Sequence, residues 1–183
     1  MKVSPPVGII ECERVWMRQC EAGDAAALLI VLGDPAARQY FPEPLTKALV
    51  VNWIESNRQR YRENDGGLWA MILKETGEVI GDYELIRRGS TDGVTIEAAY
   101  HVRVDMRGRG YATEATRCCS TYAFKKLDAD EVSMFIRADN LASRRVAEKN
   151  GFRVVGEIMR AGSLHLVYMI KREDWDADTQ RIT

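Results

Sequence analysis

No stretch of the 183-residue chain approaches the roughly 20 consecutive apolar residues that cross a bilayer as a helix. Residues 1–10 contain no signal-peptide core. A membrane partner is therefore not expected. Charge of either sign is not in excess. The 26 Lys and Arg residues against 27 Asp and Glu leave a net −1. No local basic patch stands out either, so nucleic acid is not an expected partner. Histidine is scarce, with only His101 and His165. The four cysteines, Cys12, Cys20, Cys118 and Cys119, show no zinc-ligand spacing. No metal is expected, and the cysteines read as reduced thiols of a cytoplasmic protein. Internal repeats, low-complexity tracts and linkers are missing as well. The length suits a single domain over residues 1–183. Such a chain buries roughly 70% of its unfolded surface.

What the chain does contain is a series of short periodic segments. Residues 9–18 alternate weakly and read as a first strand. Asp24 then heads an apolar helix that Gly33 ends. Residues 34–44 hold three prolines and read as a loop. Thr46 starts a second helix, with Leu49, Val50, Trp53 and Ile54 on one side, reaching about Asn64. Residues 68–73 and 79–86 form a hairpin, and residues 94–104 are the next strand. A helix follows, to about Leu127, and then a strand over residues 131–137. Asn140 is a good N-cap for a helix over residues 141–150, and Gly151 suits the position after it. Residues 153–159 and 164–170 make a last hairpin. The expected order is β-α-α-β-β-β-α-β-α-β-β. Hairpins mixed with single crossovers imply a mixed α/β (α+β) fold, a mixed sheet with helices on its faces.

One stretch carries chemistry. Arg107-Gly108-Arg109-Gly110-Tyr111-Ala112-Thr113-Glu114-Ala115 links a strand to a helix. Its glycines and alanine allow close backbone approach, and its arginines bring positive charge. The helix start adds unpaired N–H groups and the positive end of a dipole. Together these make a phosphate cradle. Three other readings compete. A tight turn can hold glycines for backbone reasons alone. A Rossmann site needs a third glycine where Thr113 stands, and a βαβ unit where hairpins precede the turn. A P-loop needs Gly-Lys-Ser/Thr, which is absent.

The motif Arg107-x-x-Gly110-x-Ala112 resembles the acetyl-CoA pyrophosphate turn of GNAT-superfamily N-acetyltransferases. Tyr100, the turn, Asn140-x-x-Ser143 and Glu148-Lys149-Asn150-Gly151-Phe152 together resemble the RimJ/RimL-like branch, named for acetylation of ribosomal-protein N-termini. Met17-Arg18, Asp24 and Asp34-Pro35 match its opening, and the likeness runs over residues 9–175. It implies the GNAT fold: a mixed, mostly antiparallel sheet of about seven strands, splayed at a cofactor cleft, with helices on both faces. It implies acetyl-CoA as co-substrate and an amine as acceptor, either a protein N-terminus or a small molecule. The pyrophosphate would rest on Arg107, Gly108, Arg109, Gly110, Tyr111, Ala112 and Thr113. The pantetheine arm would pair like a strand with Val102 and Val104 and meet Asn140 and Ser143. The family often dimerises, so the resemblance allows a homodimer.

The implied reaction is direct attack of the amine on the thioester. A backbone N–H near Val102 or Arg103 would hold the oxyanion. Glu97 is the first base candidate, because relatives often carry an acid there, and Glu84 is the second. Many GNAT enzymes use a tyrosine of the matching helix to protonate the leaving thiolate; that helix has none here, so the resemblance makes Ser143 the candidate, unless Asn140 and Ser143 only cap the helix. Magnitudes bear on the base. A lysine amine is free at pH 7 to roughly one part in 2,500, and an α-amine to roughly 10%. An N-terminal acceptor therefore needs less help. Tyr100 reads equally as cleft lining or core. Trp53 and Trp69 read as core, and both histidines as structural. Arg58, Arg60 and Arg62 around Tyr61 read as a solvated face or as a gate over the cleft, and Arg87 and Arg88 are similarly open. The rival of another class is a non-catalytic acyl-CoA-binding or sensing module on the same fold. A structural protein whose turn binds nothing is a third.

Overall fold

The structure is a computed structural model that describes residues 9–33, 45–63, 66–90 and 93–175. Its third strand, β3 (Gly66–Leu73), is buried at every position. Side chains alternate across a strand, so such a strand needs cover on both faces. Trp69, Met71 and Leu73 enter one apolar cluster, with Ala115, Cys119, Ala123 and Phe124 of the helix α3 (Tyr111–Lys126). Leu68, Ala70 and Ile72 enter a second cluster on the other face. Its helical residues come from α1 (Ala25–Gly33) and α2 (Lys47–Arg62). The sheet is thus the middle of three layers.

The other strands are β1 (Ile9–Glu11), β2 (Val15–Gln19), β4 (Val79–Ser90), β5 (Gly93–Val102), β6 (Glu131–Arg137), β7 (Arg153–Arg160) and β8 (Ser163–Lys171). The remaining helix is α4 (Leu141–Lys149). The eight strands lie in the order β1-β2-β3-β4-β5-β6-β8-β7. Every neighbouring pair is antiparallel except β5 and β6, which are parallel. That one parallel pair needs a crossover, which α3 supplies. It is also short: only Thr95–Glu97 pair with Glu131–Ser133. Beyond that point residues 98–102 stay with β4 and residues 134–137 stay with β8, while β5 and β6 part. The expected splay is present, between these two strands.

Two expectations need correction. The single strand over residues 9–18 is a hairpin, with Ile10 opposite Met17 and Cys12 N donating to Val15 O at 3.1 Å. Among the described residues the sheet has eight strands, close to the expected seven, and this hairpin adds the extra one. The connecting residues Cys12, Glu13 and Arg14 include no glycine or proline, so the turn leaves no sequence mark. The strand expected over residues 94–104 stops at Val102, and Val104–Met106 form a 3-10 turn. The proline loop over residues 34–44, with Asp34-Pro35, lies outside the described residues.

Candidate active site

The glycine turn leaves β5 through the 3-10 turn and delivers the chain to α3. Gly108 has φ +74° and Gly110 φ +86°. Side-chain-bearing residues rarely take these left-handed values, and glycine takes them freely. Gly110 is the N-cap of α3 and brings no capping side chain. The first helical bond is Glu114 N to Gly110 O at 3.0 Å. The amides of Tyr111, Ala112 and Thr113 thus stand ahead of it, at the positive end of a 16-residue helix. Arg107, Gly108, Arg109 and Gly110 are all exposed beside them.

Two remote residues hold this turn. Arg14, from the β1–β2 turn, donates through Nε to Glu114 Oε2 at 2.8 Å and through Nη1 to Arg109 O at 3.0 Å. Its guanidinium lies 4.7 Å from the centre of the Tyr111 ring. The backbone amides of Arg14 and Val15 donate to Glu114 Oε1 at 2.6 and 3.3 Å. Nothing in the sequence marks Arg14, which is 100 positions from Glu114. On the other side Asn150 Nδ2 donates to Thr113 O at 3.2 Å and to Val146 O at 2.9 Å. The end of α4 is thereby tied to the first turn of α3.

The edges of the splay are also defined. Arg103 N donates to Ile80 O at 2.8 Å, so of the two amides expected for an oxyanion Arg103 is already engaged by β4. Backbone groups alternate in direction along a strand, and those of Val102 turn to the β6 side. Arg107 Nε donates to Val102 O at 3.0 Å, fastening the glycine turn to that edge. Val104 is not on the ladder; its carbonyl accepts from Arg107 N at 3.2 Å and its side chain is exposed. Across the gap, Asn140 Oδ1 accepts from Ser143 N at 3.1 Å and caps α4. Ser143, in the first turn of that helix, is half-buried.

The opposite face of β4 and β5 carries charge. Tyr83 and Leu85 of β4, and Ile96 and Ala98 of β5, pack toward α3. The alternate residues Asp82, Glu84, Glu97, Ala99 and His101 therefore face α1 and α2. His101 Nδ1 lies 2.9 Å from Asp82 Oδ1. The Asp82 side chain is 1% exposed and that of His101 21%. Burial by itself would lower the His101 pKa, but the Asp82 carboxylate outweighs it and holds the imidazole above its ordinary value. Burial lifts Glu84 above the usual carboxylate range; Asp82 adds to the rise and Arg60 opposes it. Arg60 of α2 lies 3.7 Å from Glu84. Glu97 accepts from Arg88 Nη2 at 3.0 Å on one oxygen and from Arg160 Nη1 at 3.1 Å on the other. Ala99, between Glu97 and His101, is exposed, so the face is open there.

The remaining candidates fall into place around this frame. Tyr100 stacks on Tyr83 at 5.9 Å and packs with the α3-side core, away from the charged face. Trp69 is core, edge-on to Tyr122 at 5.2 Å, and Trp53 packs against the α1–α2 core. Tyr61 accepts from Cys20 N at 3.1 Å and donates to Leu68 O, which makes it a brace between α2 and the sheet. Arg58 pairs with Glu55 at 3.1 Å. Arg87 Nη1 donates to Leu127 O at 2.7 Å. His165 Nδ1 lies 3.0 Å from Ser163 O, a local contact. The pairing of His101 with Asp82 across β4 and β5 is not visible in the sequence. Among the described residues no group of three or more His, Cys, Asp or Glu is arranged to hold a metal ion. No helix among them is long and apolar enough to cross a membrane.

Comparison with known proteins gives this geometry a family. Residues 14–153 match the family model described as an acetyltransferase (GNAT) domain. The chain is 29% identical over 140 residues to the uncharacterized protein YkkB of Bacillus subtilis, covering 76% of this chain and 81% of that one. It is 26% identical over 170 residues to the uncharacterized N-acetyltransferase p20 of Bacillus licheniformis, covering 88% and 95%. Among solved structures, a GNAT-family acetyltransferase of Bacillus anthracis superposes with a TM-score of 0.79 at 23% identity, covering 90% of this chain and 99% of that one. RimJ of Mycobacterium smegmatis, in complex with CoA-disulfide, superposes with a TM-score of 0.73 at 23% identity, covering 87% and 83%. At these identities the structural likeness is one of fold. The family match begins at Arg14, which clasps the glycine turn, and ends at Arg153, just past the Asn150 that ties it down, and the chain belongs to the GNAT acetyltransferase domain family.

Proposed function

We propose that the protein transfers the acetyl group of acetyl-CoA to a primary amine, by direct attack on the thioester. The acceptor is a protein N-terminal α-amine or a small-molecule amine. The observation that carries this reading is the glycine turn at the head of α3, opening onto the splay between β5 and β6. In this reading the pyrophosphate rests on the amides from Arg109 to Thr113, with Arg107, Gly108 and Gly110 shaping the turn. The pantetheine arm enters the splay along the Val102 edge as a strand-like ligand. Val104 contributes an exposed side chain rather than ladder hydrogen bonds. Asn140 and Ser143 line the α4 side, and the Ser143 hydroxyl donates toward the leaving sulfur. The Val102 amide remains as the oxyanion donor. Glu97, at the point where β5 and β6 part and with its two oxygens accepting from Arg88 and Arg160, is the first candidate for the base. The free cysteines fit a reducing compartment, and we place the protein in the cytoplasm.

The test is a panel of amines with acetyl-CoA, including peptides with free N-termini, read as thiol release. Turnover that depends on the amine supports transfer. A thermal shift accompanies it: acetyl-CoA at about 100 times its Kd adds about 2.7 kcal/mol, which for a chain of this size raises Tm by about 5–11 °C. A shift without turnover by any amine makes the protein a non-catalytic acyl-CoA-binding module. No shift at all means that the glycine turn binds nothing.

The clasp gives a further expectation. Glu114→Gln keeps the shape but removes the charge that orients Arg14 on the turn. Arg14 is 45% exposed, so the stability cost after screening is about 1 kcal/mol. The Kd for acetyl-CoA rises about 3–10-fold by calorimetry, since the turn loses part of its preorganisation. An unchanged Kd would show that Arg14 only packs there.

A further inference from the structure

We propose that Cys12 and Cys118 form an oxidation site, two thiols that close to a disulfide and lock the β1–β2 hairpin onto α3. The site lies outside the acetyl-transfer reading; only its effect on acetyl-CoA binding rests on that reading. Both residues lie beside the Arg14–Glu114 clasp. Cys12 stands two residues before Arg14 and just past Glu11, the last β1 residue on the ladder with β2. Its amide donates to Val15 O at 3.1 Å, which closes the hairpin turn. Cys118 follows Glu114 by one turn of α3, so the two share a helix face. Glu114 Oε1 accepts from the amides of Arg14 and Val15 at 2.6 and 3.3 Å, which sets the hairpin turn against that face. Cys12 is 5% exposed inside the apolar cluster under α3, and Cys118 packs against the same cluster. The two thiols are hydrogen-bonded to each other.

The pair has the asymmetry that oxidation needs. Cys118 is half-buried and Cys12 is buried, so an oxidant meets Cys118 first and Cys12 stands behind it. The Cys12 thiol donates to the Cys118 sulfur, and that hydrogen bond holds Cys118 below its ordinary pKa. Arg117 and Lys74 act in the same direction, while burial and Glu114 oppose it. The same hydrogen bond, with burial, pushes the Cys12 thiol up. The thiolate is the reactive form, so Cys118 is the nucleophile and Cys12 the resolving thiol. The other two cysteines lack this arrangement. Cys20 lies in the cluster on the opposite face of the sheet, and Cys119 is fully buried. Burial pushes both of their thiols up.

The oxidant is a hydroperoxide, with hydrogen peroxide as the simplest case. The Cys118 thiolate attacks one peroxide oxygen; the S–O bond forms, the O–O bond breaks, and the departing hydroxide takes up a proton to become water. Cys118 is then a sulfenic acid. The Cys12 sulfur attacks the Cys118 sulfur, the S–S bond forms and the S–O bond breaks. The Cys12 proton leaves with the hydroxide as a second water. Two thiols are oxidised by two electrons in total, and one peroxide is reduced to two waters. A thiol reductant reverses the bond. The cross-link closes a loop of more than half the chain, the case in which it constrains the unfolded chain most. It also fixes the hairpin that carries Arg14 to the helix that carries Glu114.

The experiment treats the whole chain with hydrogen peroxide, alkylates the remaining thiols with iodoacetamide and maps the products by mass spectrometry. The Cys12 and Cys118 peptides leave as one cross-linked species that dithiothreitol separates, while Cys20 and Cys119 are alkylated. Oxidation raises Tm by about 5–15 °C in the wild type. It changes Tm by no more than about 2 °C in Cys118→Ser and in Cys12→Ala, which carry the same seven methionines through the treatment. The proposal is overturned by thiols that peroxide leaves untouched, by a disulfide that joins other cysteines or two chains, by Cys118 oxidised to a sulfinic acid with Cys12 still free, or by a Cys12–Cys118 bond without a rise in Tm. Calorimetry with acetyl-CoA then reads the lock. Reduced Glu114→Gln binds about 3–10-fold more weakly than wild type, and oxidised Glu114→Gln returns to within about twofold, because the bond holds Arg14 at the turn. Oxidised Glu114→Gln that stays weak overturns the lock. Acetyl-CoA that binds no form of the protein overturns the acetyl-transfer reading while the cross-link and its Tm shift stand, which separates the two failures.

Discussion

Gly110→Asp lowers the affinity for acetyl-CoA by about 100-fold while the chain stays folded. Three effects add at this position. Gly110 sits at φ +86°, where a side chain costs about 1–2 kcal/mol, with aspartate among the residues that tolerate it best. A Cβ there comes within 3.2 Å of Arg14 Nη2, a movable guanidinium end that can give way. The third effect is the largest for binding. Aspartate is a preferred N-cap, and its carboxylate accepts from the same first-turn amides that a phosphate would use. The variant therefore carries its own competitor and adds a negative charge where the ligand brings more. The free variant relieves the strain by shifting the turn and must restore it on binding, so together these come to about 3 kcal/mol, or roughly two decades in Kd. Gly110→Ala has the strain without the carboxylate and loses only about tenfold. Calorimetry with acetyl-CoA reads both variants. A folded Gly110→Asp that binds like wild type would refute the phosphate cradle.

The second large effect is at Gly81 of β4, opposite Val102. A Cβ at Gly81 would run into the His101 carbonyl oxygen and stand 3.3 Å from Val102 Cα. Both obstacles are backbone, so no side chain can swing away and the strands must part. Overpacking of this kind costs about 3 kcal/mol, and Tm falls by about 6–12 °C. The displaced residues include Val102, whose amide is the proposed oxyanion donor, so the damage is expected to reach the reaction too. At a temperature where Gly81→Ala is fully folded, kcat drops about 10–100-fold, as expected for reacting groups moved by a fraction of an ångström to an ångström. Gly89→Ala is the control, because nothing lies within 4 Å of its Cβ position. It shifts Tm by no more than about 2 °C. Equal melting of the two variants would mean that β4 and β5 can separate locally without cost.

Much of the architecture was legible because local signals agree with the fold. Thr46 caps α2, accepting from Leu49 N at 3.3 Å, and Asn140 caps α4, as their residue types suggest. The strand over Glu131–Arg137 matches the expected bounds. The β1–β2 hairpin was not legible, because its turn uses Cys12, Glu13 and Arg14. β5 ends two residues before the alternation does, because Arg103 and Val104 continue the apolar and polar pattern although the chain has already turned.

Side-chain pairing across the sheet was hidden for a different reason. Asp82 meets His101 only because β4 and β5 pair in one register, which runs up the ladder from Ser90 opposite Gly93. A slip of one residue would send His101 to the other face. The Arg14–Glu114 clasp likewise depends on the first hairpin meeting the head of α3. The donor side of this protein is therefore written locally. In the proposed reading a glycine turn, a helix start and Asn140-x-x-Ser143 supply the phosphate and pantetheine contacts within short stretches, because backbone amides and caps need only near neighbours. The charged face of β4 and β5 is decided by tertiary structure alone, because the register of β4 on β5 and the packing of α2 over them bring Asp82, Glu84, His101 and Arg60 within reach of one another.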